Sequence, residues 1–222
     1  MSDLIDDKTK VVFIASPNNP TGTAKTLLEI KDFLNNLPDD ILVFLDQAYY
    51  EYIEGSEFDI PFSLIDDHPN LVISRSFSKA HGLAALRLGF CVSNPELSDY
   101  LNRVRQPFNA NSLALDLGKV ALSDQEHISK SVKINSSGME RVKKAFANFD
   151  YNFIESWGNF ISFDAKQDSD VAFQYFLEKG VILRSLKVYE MPQHLRVSIG
   201  TEEEMDFFLQ VLEDYEKDLS KK

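Results

Sequence analysis

The chain has 222 residues, of which 44% are hydrophobic and 26% charged, a composition typical of a globular protein with one large or two small domains. Its net charge of -12 argues against a nucleic-acid surface or an anionic membrane face, so neither partner is expected. Cys91 is the only cysteine, which excludes a disulfide framework and a cysteine metal site and fits a reducing cytoplasm. No secretory signal pattern and no apolar run of membrane-spanning length is found.

The first half of the chain alternates predicted strands and helices. Residues 10–15 and 41–45 are short apolar runs that predict buried strands. Between them, Thr26 and Glu29 form a capping-box pattern that predicts a helix ending near Leu37. Two further strands are predicted at 71–74 and 88–92. The pattern indicates a mostly parallel sheet with flanking helices, in which ligands bind at the carboxyl ends of strands.

The second half is richer in helix. Asn94-Pro95 predicts a helix start, residues 112–122 carry a helical apolar period, and 124–149 predict a long polar helix interrupted near 135–138. The following predicted elements are strands at 151–155 and 160–163, a helix at 169–179 ended by Gly180, strands at 181–183 and 195–199, and a terminal helix opened by the capping box Thr201-x-x-Glu204.

This pattern divides the chain into three parts. Residues 1–123 are expected to form an α/β domain, 124–149 a connecting helix, and 150–222 a small α+β domain.

Three loops that follow predicted strands each bring a distinct chemical group. The loop 16–22 holds Asn19 between prolines and a glycine, which alone indicates only a turn. Asp46 directly follows a strand, with Tyr49 three residues later; taken alone, Asp46 is expected to cap a short helix.

The third loop carries Ser76, Lys79 and Arg87, an amine between a hydroxyl and a guanidinium. A crowded lysine loses its proton more easily and can then attack a carbonyl, whereas the alternative is a surface lysine in a polar loop. Together the three loops supply what a pyridoxal phosphate site requires: an amine, a carboxylate, phenol and amide donors, and a cationic, hydroxyl-bearing phosphate cradle.

With these residues in place, the sequence resembles fold-type-I aminotransferases, and its motifs are similar to those of the histidinol-phosphate aminotransferase family. The shared segments are Pro-Asn-Asn-Pro-Thr-Gly (17–22), Asp-Gln-Ala-Tyr (46–49), Ser-Phe-Ser-Lys-Ala-His-Gly-Leu (76–83), Leu-Arg-Leu-Gly-Phe (86–90), and the stretches 102–114, 180–184 and 195–203. The resemblance implies a partial fold-type-I large domain with a mostly parallel sheet and flanking helices, plus a small α+β carboxyl-terminal domain.

The resemblance also implies roles for single residues. Lys79 would anchor pyridoxal phosphate covalently and shuttle a proton, and Asp46 would pair with the pyridine nitrogen. Asn19 and Tyr49 would hydrogen-bond the ring oxygen, and Asn19 would also face the substrate. The remaining implied contacts are Ser76 and Arg87 to the cofactor phosphate, Arg196 to the acidic group of the substrate, and Arg184 to the histidinol phosphate group. Both substrate arginines have the alternative of being solvated strand-end residues.

Family members carry roughly a further domain of about 100–150 residues before the position where this sequence begins. That part supplies contacts to the cofactor phosphate and ring, so its absence is expected to weaken cofactor binding and to leave a sheet edge and an apolar face uncovered. A smaller departure is Glu190, where relatives often have glycine, which is expected to alter the shape of the substrate loop.

The expected function is therefore amino transfer between L-histidinol phosphate and 2-oxoglutarate in histidine biosynthesis, with a homodimer partner or an amino-terminal companion segment. An aromatic or aspartate aminotransferase, or a phosphothreonine decarboxylase, is an alternative within the same fold. A non-catalytic remnant that acts as an interaction module belongs to another class. A generic nucleotide-binding domain fits poorly, because no glycine-rich phosphate loop follows the first strand.

Overall fold

In the computed structural model, which describes residues 2–221, the chain forms two compact units. The first contains residues 2–18 and 24–128, and the second contains residues 19–23 and 129–221. Each unit has its own four-stranded sheet within the described range. No helix in residues 2–221 is both long enough and apolar enough to cross a bilayer.

The first unit is built on a sheet with strand order β1-β2-β3-β4. Its strands are β1 (Val11–Ala15), β2 (Leu42–Asp46), β3 (Leu71–Ser76) and β4 (Gly89–Val92). The first three are parallel and β4 is antiparallel to β3. The prediction of a mostly parallel sheet in this half of the chain is confirmed.

Helices of the first unit are α1 (Leu27–Asn35), α2 (Leu64–Asp67), α3 (Pro95–Val104) and α4 (Ser112–Ser123). The predicted capping box is present: the Thr26 hydroxyl accepts from the backbone of Glu29, whose carboxylate accepts from the backbone of Thr26. Ile30 and Leu34 of α1 pack with the buried face of the sheet, in a core that includes Val43, Leu45, Leu71 and Ile73. One face of the sheet is therefore covered within this unit.

The second unit begins inside helix α5 (Gln125–Asn148) and continues through an antiparallel sheet of order β5-β6-β8-β7. Its strands are β5 (Phe153–Ile154), β6 (Phe160–Asp164), β7 (Arg184–Ser185) and β8 (His194–Ser198), and its other helices are α6 (Ser169–Glu178) and α7 (Glu202–Leu219). Aromatic rings fill its core, where Phe146 lies 4.6 Å from Phe163 between ring centroids.

Two predictions about the second half are wrong. Helix α5 runs through residues 135–138 without a break. Gly138 is there for close packing, since a Cβ atom would lie 2.5 Å from the Ile199 side chain. The predicted strand 181–183 is also wrong: the Val181 amide donates to Phe176 O at the end of α6, and pairing starts only at Arg184.

Candidate functional site

The predicted site loops of the first unit meet at one edge of its sheet. Because β1, β2 and β3 are parallel, their carboxyl ends lie at the same edge, and the antiparallel β4 starts there. Asp46 is in register with Ser74, and Ser76 with Gly89. This edge therefore carries Asp46, the start of the Lys79 loop, and the approach to β4 that contains Arg87.

Asp46 ends β2 with an exposed carboxylate. Its Oδ1 accepts hydrogen bonds from the Ala48 amide at 3.0 Å and from the Ser74 hydroxyl at 3.3 Å. The expectation that it caps a helix is wrong, because Tyr49 is the N-cap of the short 3-10 helix Tyr50–Tyr52, without a side-chain capping bond. Within the described residues both of these hydrogen bonds end on Oδ1.

Lys79 lies in a tight loop, partly buried. Its carbonyl accepts from the Gly82 amide at 2.9 Å, which closes a turn, and the loop is closed again by the Leu83 amide donating to Phe77 O at 2.9 Å. Gly82 has φ +71°, a left-handed conformation that favours glycine. The Lys79 ammonium nitrogen lies 5.0 Å from the ring centroid of buried Tyr49, so the structure brings these two predicted residues together.

Arg87 holds its guanidinium at the surface of the same loop. Its Nη1 donates to Ala84 O at 2.8 Å and lies 3.5 Å from the Ser78 hydroxyl, while Ser76 Oγ accepts from the Ser78 amide at 3.0 Å. The backbone of Arg87 has φ 52°, which is uncommon for a residue other than glycine and often marks a functional position. The two predicted phosphate contacts, Ser76 and Arg87, thus meet through Ser78.

The other predicted site residues, Asn19, Arg184 and Arg196, lie in the second unit. Arg196, in β8, donates through Nη1 to Asn19 Oδ1 and packs on the Phe160 ring at 5.0 Å from its centroid. Its Nε is buried without a hydrogen-bond partner within residues 2–221. Arg184 is in register with Arg196 on the neighbouring strand and is exposed.

The loop that carries Asn19 is fixed by the sheet of the second unit. The Ser162 hydroxyl donates to Pro20 O at 2.6 Å, and the Trp157 amide donates to Gly22 O at 2.9 Å. These contacts hold the Asn19 side chain beside Arg196.

Glu190, where a glycine was expected from the resemblance, has φ 61°. This is the conformation that favours glycine, so the glutamate keeps the local turn at a conformational cost.

Sequence reasoning did not single out Ser74 and Ser78. Both become relevant only through pairing, Ser74 by its register with Asp46 and Ser78 by its contact with Arg87. The repeated serine in Ser76-x-Ser78 was the one signal for the second. No cluster of potential metal ligands is found within the described part of the chain.

Comparisons with known proteins identify the family of the chain. The family model described as aminotransferase class I and II matches residues 1–212. Histidinol-phosphate aminotransferase 1 of Nitrosococcus oceani is 45% identical over 213 residues, which cover 96% of this chain and 58% of that protein. Histidinol-phosphate aminotransferase 2 of Pseudomonas fluorescens is 49% identical over 208 residues, covering 94% and 56%.

Among solved structures, the histidinol-phosphate aminotransferase of Sinorhizobium meliloti, in complex with pyridoxal-5'-phosphate, matches with a TM-score of 0.86 at 26% identity. The match covers 94% of this chain and 58% of that chain. The chain therefore spans just over half the length of the relatives it matches.

Proposed function

Because the chain belongs to the aminotransferase class I and II family, we propose that it is the lysine-bearing part of a pyridoxal-phosphate-dependent aminotransferase that moves an amino group between L-histidinol phosphate and 2-oxoglutarate. The expected fold class, a partial fold-type-I large domain with a small α+β domain, is confirmed by the comparisons. The observation that carries the proposal is the presence of Lys79 beside Tyr49 in loops at the sheet edge where Asp46 exposes its carboxylate. We further propose a cytoplasmic location, since the single thiol, Cys91, requires no oxidising compartment.

The donor set of this edge fits pyridoxal phosphate. Lys79 supplies an amine for covalent attachment, Tyr49 a phenol beside it, and Asp46 an oxygen that can face a ring nitrogen. The Arg87 guanidinium, with the Ser76 and Ser78 hydroxyls, forms a local cationic cradle in a chain of net charge -12. A phosphate dianion needs such local positive charge against an acidic background.

When bound, pyridoxal phosphate supplies a ring that takes up the electron pair released as the substrate loses its α-proton. The residues of this chain would hold and orient the cofactor and move the proton. Lys79 would hold the cofactor covalently through Nζ and would carry the proton at that atom. Asp46 would keep a proton on the ring nitrogen, and Tyr49 and Asn19 would hydrogen-bond the ring oxygen.

Arg196 is proposed to bind the acidic group of the substrate. Its Nε is buried without a partner, and a buried guanidinium donor is costly unless an acceptor reaches it. An anionic substrate group would complete the set of hydrogen bonds that Asn19 begins. Exposed Arg184 is proposed to contact the phosphate of histidinol phosphate.

This function is tested by an amino-transfer assay on the chain supplied with pyridoxal phosphate and an amino-terminal companion, the unmatched part of the Nitrosococcus oceani relative. We expect 2-oxoglutarate-dependent consumption of histidinol phosphate, with lower rates for aspartate and aromatic amino acids. Carbon dioxide release from phosphothreonine without amino transfer would favour the decarboxylase instead. A stably folded chain that has no affinity for pyridoxal phosphate, with or without the companion, would favour a non-catalytic interaction module.

Exposed apolar surface on the first unit indicates where such a companion would bind. On one face of the sheet, Phe13 of β1 is 74% exposed and stacks on Phe44 at 5.5 Å between centroids, and Val11 beside it is also exposed. Strand β1 is at the edge of the sheet within the described residues, so its outer backbone groups can pair with another strand.

Helix α4 also exposes apolar side chains. Its small residues Ala114 and Gly118 face Phe77 and Leu88, yet much of the rest of its surface is apolar and exposed: Leu113, Leu115, Leu117, Val120 and Leu122. A helix that is apolar on nearly all sides is normally buried.

We assign this surface to a polypeptide equivalent to the part of the relatives that lies outside the matched region, since that region is only 58% of the Nitrosococcus oceani protein. A strand from that polypeptide would pair with β1, and its apolar residues would cover Phe13 and α4. A second copy of the chain is the alternative occupant.

Phe13→Asp is expected to abolish association with the companion, taken as the unmatched part of the Nitrosococcus oceani relative, because it places a charge in the apolar contact. Size-exclusion chromatography of the mixed polypeptides measures this. Leu28→Asp, at a residue 69% exposed on α1, is the matched control and should leave association intact. Equal association by both variants, or a homodimer that Phe13→Asp dissociates, would contradict the assignment.

A further inference from the structure

Two largely buried titratable side chains, one of them within the Lys79 turn itself, take no part in the proposed chemistry. Glu51, in the short helix after β2, places Oε1 3.7 Å from Nε2 of His81, and their side chains are only 13% and 8% exposed. This distance brings the carboxyl and the imidazole into contact but is too long for a hydrogen bond. Glu51 Oε2 is buried without a hydrogen-bond partner within residues 2–221.

The surroundings of Glu51 do not compensate for its burial. Burial is the largest influence on the Glu51 carboxyl and raises its pKa, against the opposing pull of His81 and Arg75. Arg75 is engaged elsewhere, with its guanidinium 3.1 Å from the Tyr50 ring centroid and its Nε donating to Gln47 Oε1 at 3.1 Å. Besides His81, the titratable and charged groups that interact with Glu51 are Arg75 and Tyr52, and Arg75 in turn interacts with Tyr50 and Asp59. An ionised Glu51 therefore costs stability.

Each residue of the pair is connected to the surroundings of Lys79, His81 through the turn and Glu51 through Tyr49. His81 is a central residue of the turn whose ends are Lys79 O and the Gly82 amide, and its ring packs on Phe77 at 4.9 Å between centroids. Glu51 lies two residues after Tyr49, the ring beside which Lys79 Nζ lies. The Glu51–His81 contact thus connects the two loops that carry the amine and the phenol.

We propose that Glu51 is a positioning residue: through its contact with His81 it holds the turn that presents Lys79 toward Tyr49. A side chain that costs stability at the base of two functional loops is better explained by a role in placing them than by a role in folding. The proposal rests on the proposed attachment of the cofactor at Lys79.

The variant Glu51→Gln distinguishes an effect on the position of Lys79 from an effect on the stability of the fold. The raised carboxyl pKa means that the folded chain binds this proton more tightly than the unfolded chain does. The stability that this proton contributes is fully present below the ordinary value of 4.5 and is lost as the pH rises through the raised value. At pH 7 the variant is therefore expected to melt about 2–4 °C higher than the natural chain, and the difference should close toward pH 4.

Placement is measured by the rate at which pyridoxal phosphate becomes linked to Lys79, trapped with borohydride, in the presence of the companion. We expect this rate to fall about 10- to 100-fold in Glu51→Gln. His81→Phe keeps the ring against Phe77 and should lose a similar factor, and the double variant should lose no more than either single variant. The exposed Glu57→Gln is the control and should match the natural chain.

Hydrogen exchange provides a readout that needs no cofactor. The amides of Gly82 and Leu83 should lose protection in Glu51→Gln while the sheet keeps it. Unchanged protection, or a link that forms as fast as in the natural chain, would overturn the positioning role and leave the proposed function standing. A natural chain that forms no link at all would instead count against the proposed function, with the exchange result still deciding the role of Glu51.

Discussion

Lys79→Ala is expected to reduce amino transfer by about 10⁴-fold or more, because the variant loses both the nucleophile and the group that carries the proton. Initial rates with histidinol phosphate and 2-oxoglutarate, in the presence of the companion, measure this loss. The fold should survive, since Lys79 is only partly buried and the loop is held by backbone bonds at Phe77 and Gly82.

Lys79→Arg is the matched variant for charge. It keeps a cation beside the Tyr49 ring but cannot form the covalent link, so it should be as inactive as Lys79→Ala. Substantial activity in either variant would show that another group does the chemistry.

Asp46→Asn is expected to lower kcat by about 10²- to 10³-fold, the usual cost of removing one preorganised electrostatic partner. The amide keeps the size of the side chain and can still accept from the Ala48 amide, but it cannot hold a proton on a ring nitrogen. Steady-state kinetics should show the loss in kcat, with a much smaller change in the affinity for pyridoxal phosphate.

Ser74→Ala provides the control for Asp46→Asn. It removes the hydroxyl that donates to Asp46 Oδ1 at 3.3 Å, a long contact, and leaves the charge in place. We expect less than about a tenfold effect, because a neutral hydrogen bond contributes only about 0.5–1.5 kcal/mol. Equal losses in the two variants would mean that the carboxylate acts only through its local contacts.

Local sequence signals were sufficient for most elements of the fold. The two capping boxes at Thr26 and Thr201 are both formed, and each opens the predicted helix. The apolar runs that predict strands correspond to β1, β2, β3 and β4 within one or two residues. These features depend on hydrogen bonds between near neighbours and on burial of short apolar runs, which a sequence displays directly.

Long-range packing explains what the sequence did not show. The glycine at 138 predicts a break in α5, but its role is to admit the Ile199 side chain, about sixty residues away. The apolar run at 181–183 is typical of a strand, yet the Val181 amide is bonded to the end of α6.

For the candidate site, the positions of the loops could be predicted from the sequence, but the contacts between distant side chains could not. The loops that carry Asp46, Tyr49 and Lys79 could be placed at one sheet edge from strand order alone. The contact between Asn19 and Arg196 spans 177 positions and follows only from the folded second unit. The Glu51–His81 pair also could not be predicted, because Glu51 lies outside the shared segments and only the folded loops bring it to His81.

The most direct test of this account is to locate the covalent link itself. The chain, mixed with its companion and pyridoxal phosphate, is reduced with borohydride, digested and mapped by mass spectrometry. We expect the pyridoxyl group on the peptide that contains Lys79 and on no other lysine at comparable occupancy. A label spread over surface lysines, or carried mainly by a lysine outside residues 76–88, would contradict the central claim.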